Sequence, residues 1–193
     1  MSTVLTLDGR LGASAGPVEL PFDALYRRYR RPISGYLYQL CGSPDLAEEL
    51  TQETFLRALT GLAGLRGEGA AATWLFRIAR NVYLQSLRRP AATRIPTDDL
   101  LAIPDAGRSG DPVGQYSAHE QRTLIGLALA QLPEKQRSIL LLRDAEGLSY
   151  AEIAEVLELT LATVKITLFR ARQAFRAAYI ALDHGLEADD ARV

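Results

Sequence analysis

Leu148-Ser149-Tyr150-Ala151-Glu152-Ile153-Ala154-Glu155-Val156-Leu157, then Glu158-Leu159-Thr160, then Leu161-Ala162-Thr163-Val164-Lys165, is the stretch that decides the fold of this chain. Ser149 with a glutamate three residues on is a capping box, which pins the start of a short helix. Tyr150, Ile153, Ala154 and Leu157 make the inner face of that helix. Glu158-Leu159-Thr160 forms a turn, and Thr160 can cap a second helix that buries Val164, Leu168, Ala171 and Phe175 along one stripe. A helix-turn-helix is specified.

The other faces of the second helix carry Thr163, Lys165, Thr167, Phe169, Arg170, Arg172 and Arg176, and no acidic residue occurs from Leu161 to Leu182. A positive, acid-free helix suits a major groove walled by phosphates. A lone basic helix is more often a core helix with a solvated face. Here the capped short helix, the turn and the acid-free second helix occur together and in order, which favours the groove.

Upstream, helical spacing recurs. Phe22, Leu25, Tyr26, Tyr29, Ile33, Tyr36, Leu37 and Leu40 predict a helix over 22–40 around Pro32. Ser43 and Pro44 open a second over 45–59, and a third over 71–89 turns Trp74, Leu75, Ile78, Val82 and Leu87 toward a core before Pro90. Gly61, Gly64, Gly67 and Gly69 mark the loop between them. Helices are also predicted over 119–132, 133–145, 150–157 and 161–182. No strand-like alternation appears, so the class is all-α: two small helical domains joined by a flexible linker, the C-terminal one a helix-turn-helix. The domains fall at 21–90 and 118–182. Residues 1–20 read as a flexible extension, 91–117 as a Pro, Gly, Asp and Ala-rich linker, and 183–193 as an acidic tail with Asp183, Glu187, Asp189 and Asp190.

Composition bounds the partners. The 193 residues carry a net charge of -1, so contact with nucleic acid must come from local basic patches rather than bulk charge. One cysteine, Cys41, excludes an internal disulfide and a cysteine-rich metal site, and His119 and His184 are too scattered to make one. Cys41 ends an apolar helix and reads as an inert buried thiol rather than a redox sensor. No leader and no spanning segment is read, so the expectation is a cytoplasmic protein without membrane insertion. No glycine-rich phosphate loop, metal spacing or nucleophile set points to an enzyme, and no cofactor is expected.

The run Leu132-Pro133-Glu134-Lys135-Gln136-Arg137, with Leu148 to Ala154, Thr163-Val164-Lys165 and Arg170-Ala171-Arg172, closely resembles the fourth region of bacterial RNA polymerase sigma factors. Asp45-Leu46-Ala47-Glu48-Glu49-Leu50-Thr51-Gln52-Glu53-Thr54-Phe55-Leu56-Arg57-Ala58 and Trp74-Leu75-Phe76-Arg77-Ile78-Ala79-Arg80-Asn81 independently resemble the second region. Two matches in the right order, with no room in the linker for a third domain, point to the extracytoplasmic-function (ECF) subfamily of the sigma-70 family. The resemblance covers about 22–179.

What it implies is a subunit that docks on core RNA polymerase and reads promoter DNA, held inactive by an anti-sigma factor. Thr163, Lys165, Ile166, Thr167, Phe169, Arg170 and Arg172 fall on the -35 reader. Arg66, Arg77, Arg80, Asn81, Gln85 and Arg88 fall on the -10 reader, where guanidinium groups can hold a strand's phosphates and a loop pocket can take an unstacked base. Asp45, Glu48, Glu49, Gln52 and Glu53 fall on the polymerase-binding surface. Trp74 lies on the apolar stripe and reads as core. Ala71 and Ala72 replace an aromatic and a basic residue common in the family, and Ile166 and Thr167 replace a small polar and basic pair, adding an apolar contact suited to a thymine methyl. Glu158 stands where glycine is common, tolerable if its backbone avoids the left-handed region. The competing reading is a dimeric helix-turn-helix regulator acting without polymerase on a palindromic site.

Overall fold

The computed structural model describes residues 22–62, 70–88 and 112–190, with side chains in the last span from 121 to 184. Every regular element among them is a helix: α1 (Phe22–Cys41), α2 (Pro44–Gly61), α3 (Ala71–Arg88), α4 (Pro112–Ala130), α5 (Glu134–Leu140), α6 (Tyr150–Leu157) and α7 (Leu161–Asp190). A π-helical turn, Leu141–Ala145, prolongs α5. The all-α class is as expected, with α1–α3 forming one cluster and α4–α7 a second. The predicted glycine loop, most of the linker, the N-terminal extension and Arg66 lie outside the described residues.

In the first cluster α1 buries Leu25, Ile33, Tyr36, Leu37 and Leu40, and passes Pro32 unbroken. Gly42, at φ 71°, takes the left-handed turn that ends the helix, and its amide donates to the Tyr38 carbonyl at 2.8 Å. Ser43 then caps α2 by accepting from the Leu46 amide at 3.3 Å, with Pro44 at the first helical position. Thr51 and Thr54 are buried in α2, and each hydroxyl bonds a carbonyl one turn back, Ala47 and Leu50, so neither is left unsatisfied. Phe76 of α3 meets Tyr36 edge-on, with ring centroids 5.4 Å apart. Trp74 packs at the rim of this core, where a methyl group at Gly61 would lie 3.1 Å from its ring. Leu87 departs from expectation: it is 44% exposed, in a last turn of α3 that runs past the end of α1, where the Tyr83 hydroxyl already bonds the Leu40 carbonyl.

In the second cluster α4 starts at Pro112 rather than 119, and α7 continues to Asp190 rather than stopping at 182. Extending a formed helix needs no new nucleus, so a sequence without strong periodicity can still propagate it. The stretch read as one helix over 133–145 is instead α5 plus the π turn. Ile139, Leu140, Leu141 and Leu142 are all buried in succession, because this segment contacts α1 on one side and α6 and α7 on the other.

The two clusters pack against each other: α3 lies on α6, and α1 on α4 and α5. At the centre of the contact the Tyr36 hydroxyl is 2.7 Å from the Ser138 hydroxyl, both buried. Arg137 donates to the Gln39 and Leu40 carbonyls at the end of α1, at 3.4 and 3.0 Å, and to those of Ala130 and Leu132 after α4. A cation there opposes the negative ends of two helix dipoles. No helix among the described residues is long and apolar enough to cross a membrane.

Candidate nucleic-acid interface

The helix-turn-helix is built by local chemistry. The Ser149 hydroxyl accepts from the Glu152 amide at 3.3 Å and the Glu152 carboxylate accepts from the Ser149 amide at 2.7 Å, closing the predicted capping box. That pairing holds the Glu152 carboxyl below its usual range. The Leu159 amide reaches back to the Ala154 carbonyl at 2.8 Å, which places Glu158 at φ 54°, ψ 50°. Glu158 is therefore in the left-handed region that the sequence reading wanted it to avoid: the bond that satisfies the end of α6 requires that turn. Thr160 caps α7, accepting from the Thr163 amide at 3.2 Å. Arg143 braces the approach, donating to the Leu148 carbonyl at 2.8 Å while its guanidinium lies over the Tyr150 ring.

Burial of Val164, Leu168 and Ala171 fixes which way α7 faces. At 3.6 residues per turn, Ile166 and Phe169 then point most directly outward, with Arg170 and Thr163 on one flank and Lys165 and Arg172 on the other. Ile166 and Phe169 are 54% and 64% exposed. An apolar centre between cationic flanks matches a groove whose floor offers methyl groups and base edges and whose walls are phosphates. Thr167 sits half-buried beside Thr163. Arg172 is not free: it grips Asp144 of the π turn. Gln173, exposed on the same outward stripe, was missed by the sequence reading, though its spacing from Ile166, Phe169 and Arg170 could have found it.

In α3, Arg77, Arg80, Asn81, Gln85 and Arg88 share one side of the helix. Asn81 and Arg88 are exposed. Gln85 accepts from Arg57 of α2 at 2.8 Å, which ties its amide down. Arg77 lies 3.7 Å from Glu155 and Arg80 3.2 Å from Glu134, both carboxylates belonging to the second cluster.

In α2, Asp45, Glu48, Glu49, Gln52 and Glu53 lie along one side. Glu48 pairs with Arg30 at 3.1 Å, which lowers its carboxyl's proton affinity, and Glu53 pairs with Arg57 at 2.7 Å. The same side continues into Leu56 and Leu59, 61% and 52% exposed. Two large apolar side chains thus stand in solvent beside the acidic stripe, and the sequence reading passed over them. A groove of about 180 Å³ runs between α2 and α3 beside Glu49, Glu53, Leu56 and Val82.

Comparison with known proteins bears on both clusters. Residues 25–93 match Sigma-70 region 2 and residues 122–175 match Sigma-70, region 4. The chain is 35% identical over 154 residues to RNA polymerase sigma factor YlaC of Bacillus subtilis, spanning 78% of this chain and 87% of that protein. The chain belongs to the ECF sigma factors of the sigma-70 family.

It is likewise 34% identical over 163 residues to the ECF RNA polymerase sigma-E factor of Haemophilus influenzae, spanning 79% of this chain and 84% of that one. The fold agrees with that of the sigma factor RpoE solved in complex with the anti-sigma factor NepR from Bartonella quintana, with a TM-score of 0.66 and 22% identity, covering 81% of this chain and 95% of that one. As an ECF sigma factor the chain is a non-catalytic initiation factor that directs RNA polymerase to promoters.

Proposed function

We propose a division of labour within this ECF sigma factor. Residues 21–90 dock on core RNA polymerase and read the -10 element, residues 118–182 read the -35 element, and 91–117 link them. The observation that carries this reading is the pair of family matches in chain order, each falling on a cluster with a solvent-directed charged or polar helix side. On the -35 side, Lys165 and Arg170 hold phosphates while Ile166, Phe169 and Gln173 face the base edges. On the -10 side, Arg77, Arg80, Arg88 and Asn81 of α3, with Arg66 in the loop before it, take the strand. The stripe from Asp45 to Glu53, extended by Leu56 and Leu59, meets the polymerase. Tethering two weak readers raises the effective concentration of the second once the first is engaged. An anti-sigma partner covers these faces between signals, in keeping with the NepR complex of the Bartonella protein of like fold.

The experiment is run-off transcription with bacterial core polymerase and a pool of genomic promoter fragments from the protein's own host. Core-dependent, promoter-specific transcripts are expected, and their start sites give the -10 and -35 sequences. Absence of transcripts, together with a specific duplex shift by a dimer of the protein alone, would replace this reading with a stand-alone regulator.

A further inference from the structure

Arg57 of α2 reaches across the groove between α2 and α3. Its Nε donates to the Glu53 carboxylate one turn back at 2.7 Å, and its Nη1 donates to the Gln85 amide oxygen at 2.8 Å. The guanidinium is planar, so the bond to Glu53 fixes the direction from which Gln85 is met. Leu50 and Val82, both buried, line the same groove and leave the three polar groups no room to rearrange inward. An arginine offers donors and no acceptor, so the atom of Gln85 that faces it must be the oxygen; the reversed amide would set N–H against N–H. What Gln85 has left to offer is its amide nitrogen, which has no partner among the described residues. Gln85 is exposed and shares one side of α3 with the exposed Asn81 and Arg88. A glutamine with both ends free pairs with adenine through its oxygen at N6 and its nitrogen at N7; one whose oxygen is already taken cannot.

We propose that Arg57 is a positioning residue for base choice: by holding the Gln85 oxygen it makes Gln85 a donor only, which selects guanine over adenine at one position of the promoter. This rests on the assignment of α3 to the -10 element. Guanine presents two adjacent acceptors, N7 and O6, to the free amide nitrogen. Adenine sets its own N6 amino group against that nitrogen, and cytosine offers only a donor. Arg57 acts through Gln85 rather than on the base, and Glu53 acts through Arg57. The polarity of the reading group on α3 is therefore set by a residue of α2.

The test is run-off transcription by the reconstituted holoenzyme on a promoter library randomised through the -10 element and its flanks, with the transcripts sequenced. Base preference is a ratio taken within one holoenzyme, so a variant that merely binds core less well or is less stable does not move it. The wild type is expected to favour guanine over adenine about tenfold at one position, the weight of one good pair of hydrogen bonds to a base edge. Arg57→Met keeps the aliphatic stem and removes the donors, and should turn that position, and no other, toward adenine. Gln85→Glu keeps a bond to Arg57 but replaces the free donor with an acceptor, and should turn the same position toward cytosine. Gln85→Ala should level it. Guanine preference at no position, or a preference that survives Arg57→Met or Gln85→Ala unchanged, overturns the role of Arg57. Promoter-specific transcripts whose base choice ignores Arg57 remove this inference alone and leave α3 as the -10 reader; a wild type that gives no core-dependent transcript overturns the assignment of α3 and this inference with it.

Discussion

The Arg172 guanidinium grips both carboxylate oxygens of Asp144, at 2.6 and 3.2 Å, tying the outward helix of the helix-turn-helix to the π turn twenty-eight residues earlier. A cation already neutralised by a neighbour releases few counterions when it meets DNA. Arg170, two residues earlier on the opposite flank, is exposed and has no such partner among the described residues. The two arginines should therefore behave differently. Arg170→Ala is expected to weaken binding of the holoenzyme to its promoter and to reduce the logarithmic salt slope by about one. Arg172→Ala should lower affinity with a smaller change in slope, and Asp144→Asn should steepen the slope by freeing Arg172. Equal slopes for Arg170→Ala and Arg172→Ala would show that Asp144 does not compete with DNA.

Glu158 holds a left-handed conformation with a side chain that disfavours it. Glu158→Gly relieves that strain but gives the unfolded chain more freedom, so the net gain should be about 0.5–1 kcal/mol. Thermal unfolding measures it as a rise in Tm, with promoter selectivity unchanged. A fall in Tm would mean that the Glu158 side chain makes a compensating contact.

Burial pushes the Glu146 carboxyl up to about 7, from an ordinary value of 4.5. Between those values the unfolded chain has lost a proton that the folded chain keeps, so stability falls as pH rises through this window and is level on either side. Removing the charge with Glu146→Gln should stabilise the protein at pH 8 by about 1 kcal/mol, allowing for solvent screening of a partly exposed group, and by little at pH 4. Urea unfolding at the two pH values is the check; a gain that does not vary with pH rules out titration of Glu146 as its source.

On α2, Leu56 and Leu59 contribute little to the core because most of their surface is already in water. Replacing both with serine should leave Tm within a degree or two while lowering affinity for core polymerase about tenfold or more, since each buried leucine side chain is worth roughly 1.5–3 kcal/mol at a dry interface. Fluorescence anisotropy of the labelled protein titrated with core reads this directly. Unchanged affinity would move the docking surface off this side of α2.

The sequence determined the features whose physics is local. Ser43, Ser149 and Thr160 name helix starts because a side-chain oxygen must meet an amide two or three residues on, and all three do so in the structure. The burial of Val164, Leu168 and Ala171 was legible as a stripe, and with it the outward side of α7 that carries Lys165, Ile166, Phe169 and Arg170. Family identity was legible for the same reason, as two motifs each contained in a short span. Tertiary structure alone decided which of those side chains are free. Arg80 faces Glu134 across 54 residues, Tyr36 meets Ser138 across 102, and Arg172 is held by Asp144. The π turn and the left-handed Glu158 also answer to packing and hydrogen-bond closure rather than to propensity. Helical periodicity says which side of a helix is apolar; only the meeting of two helices says what its charged side touches.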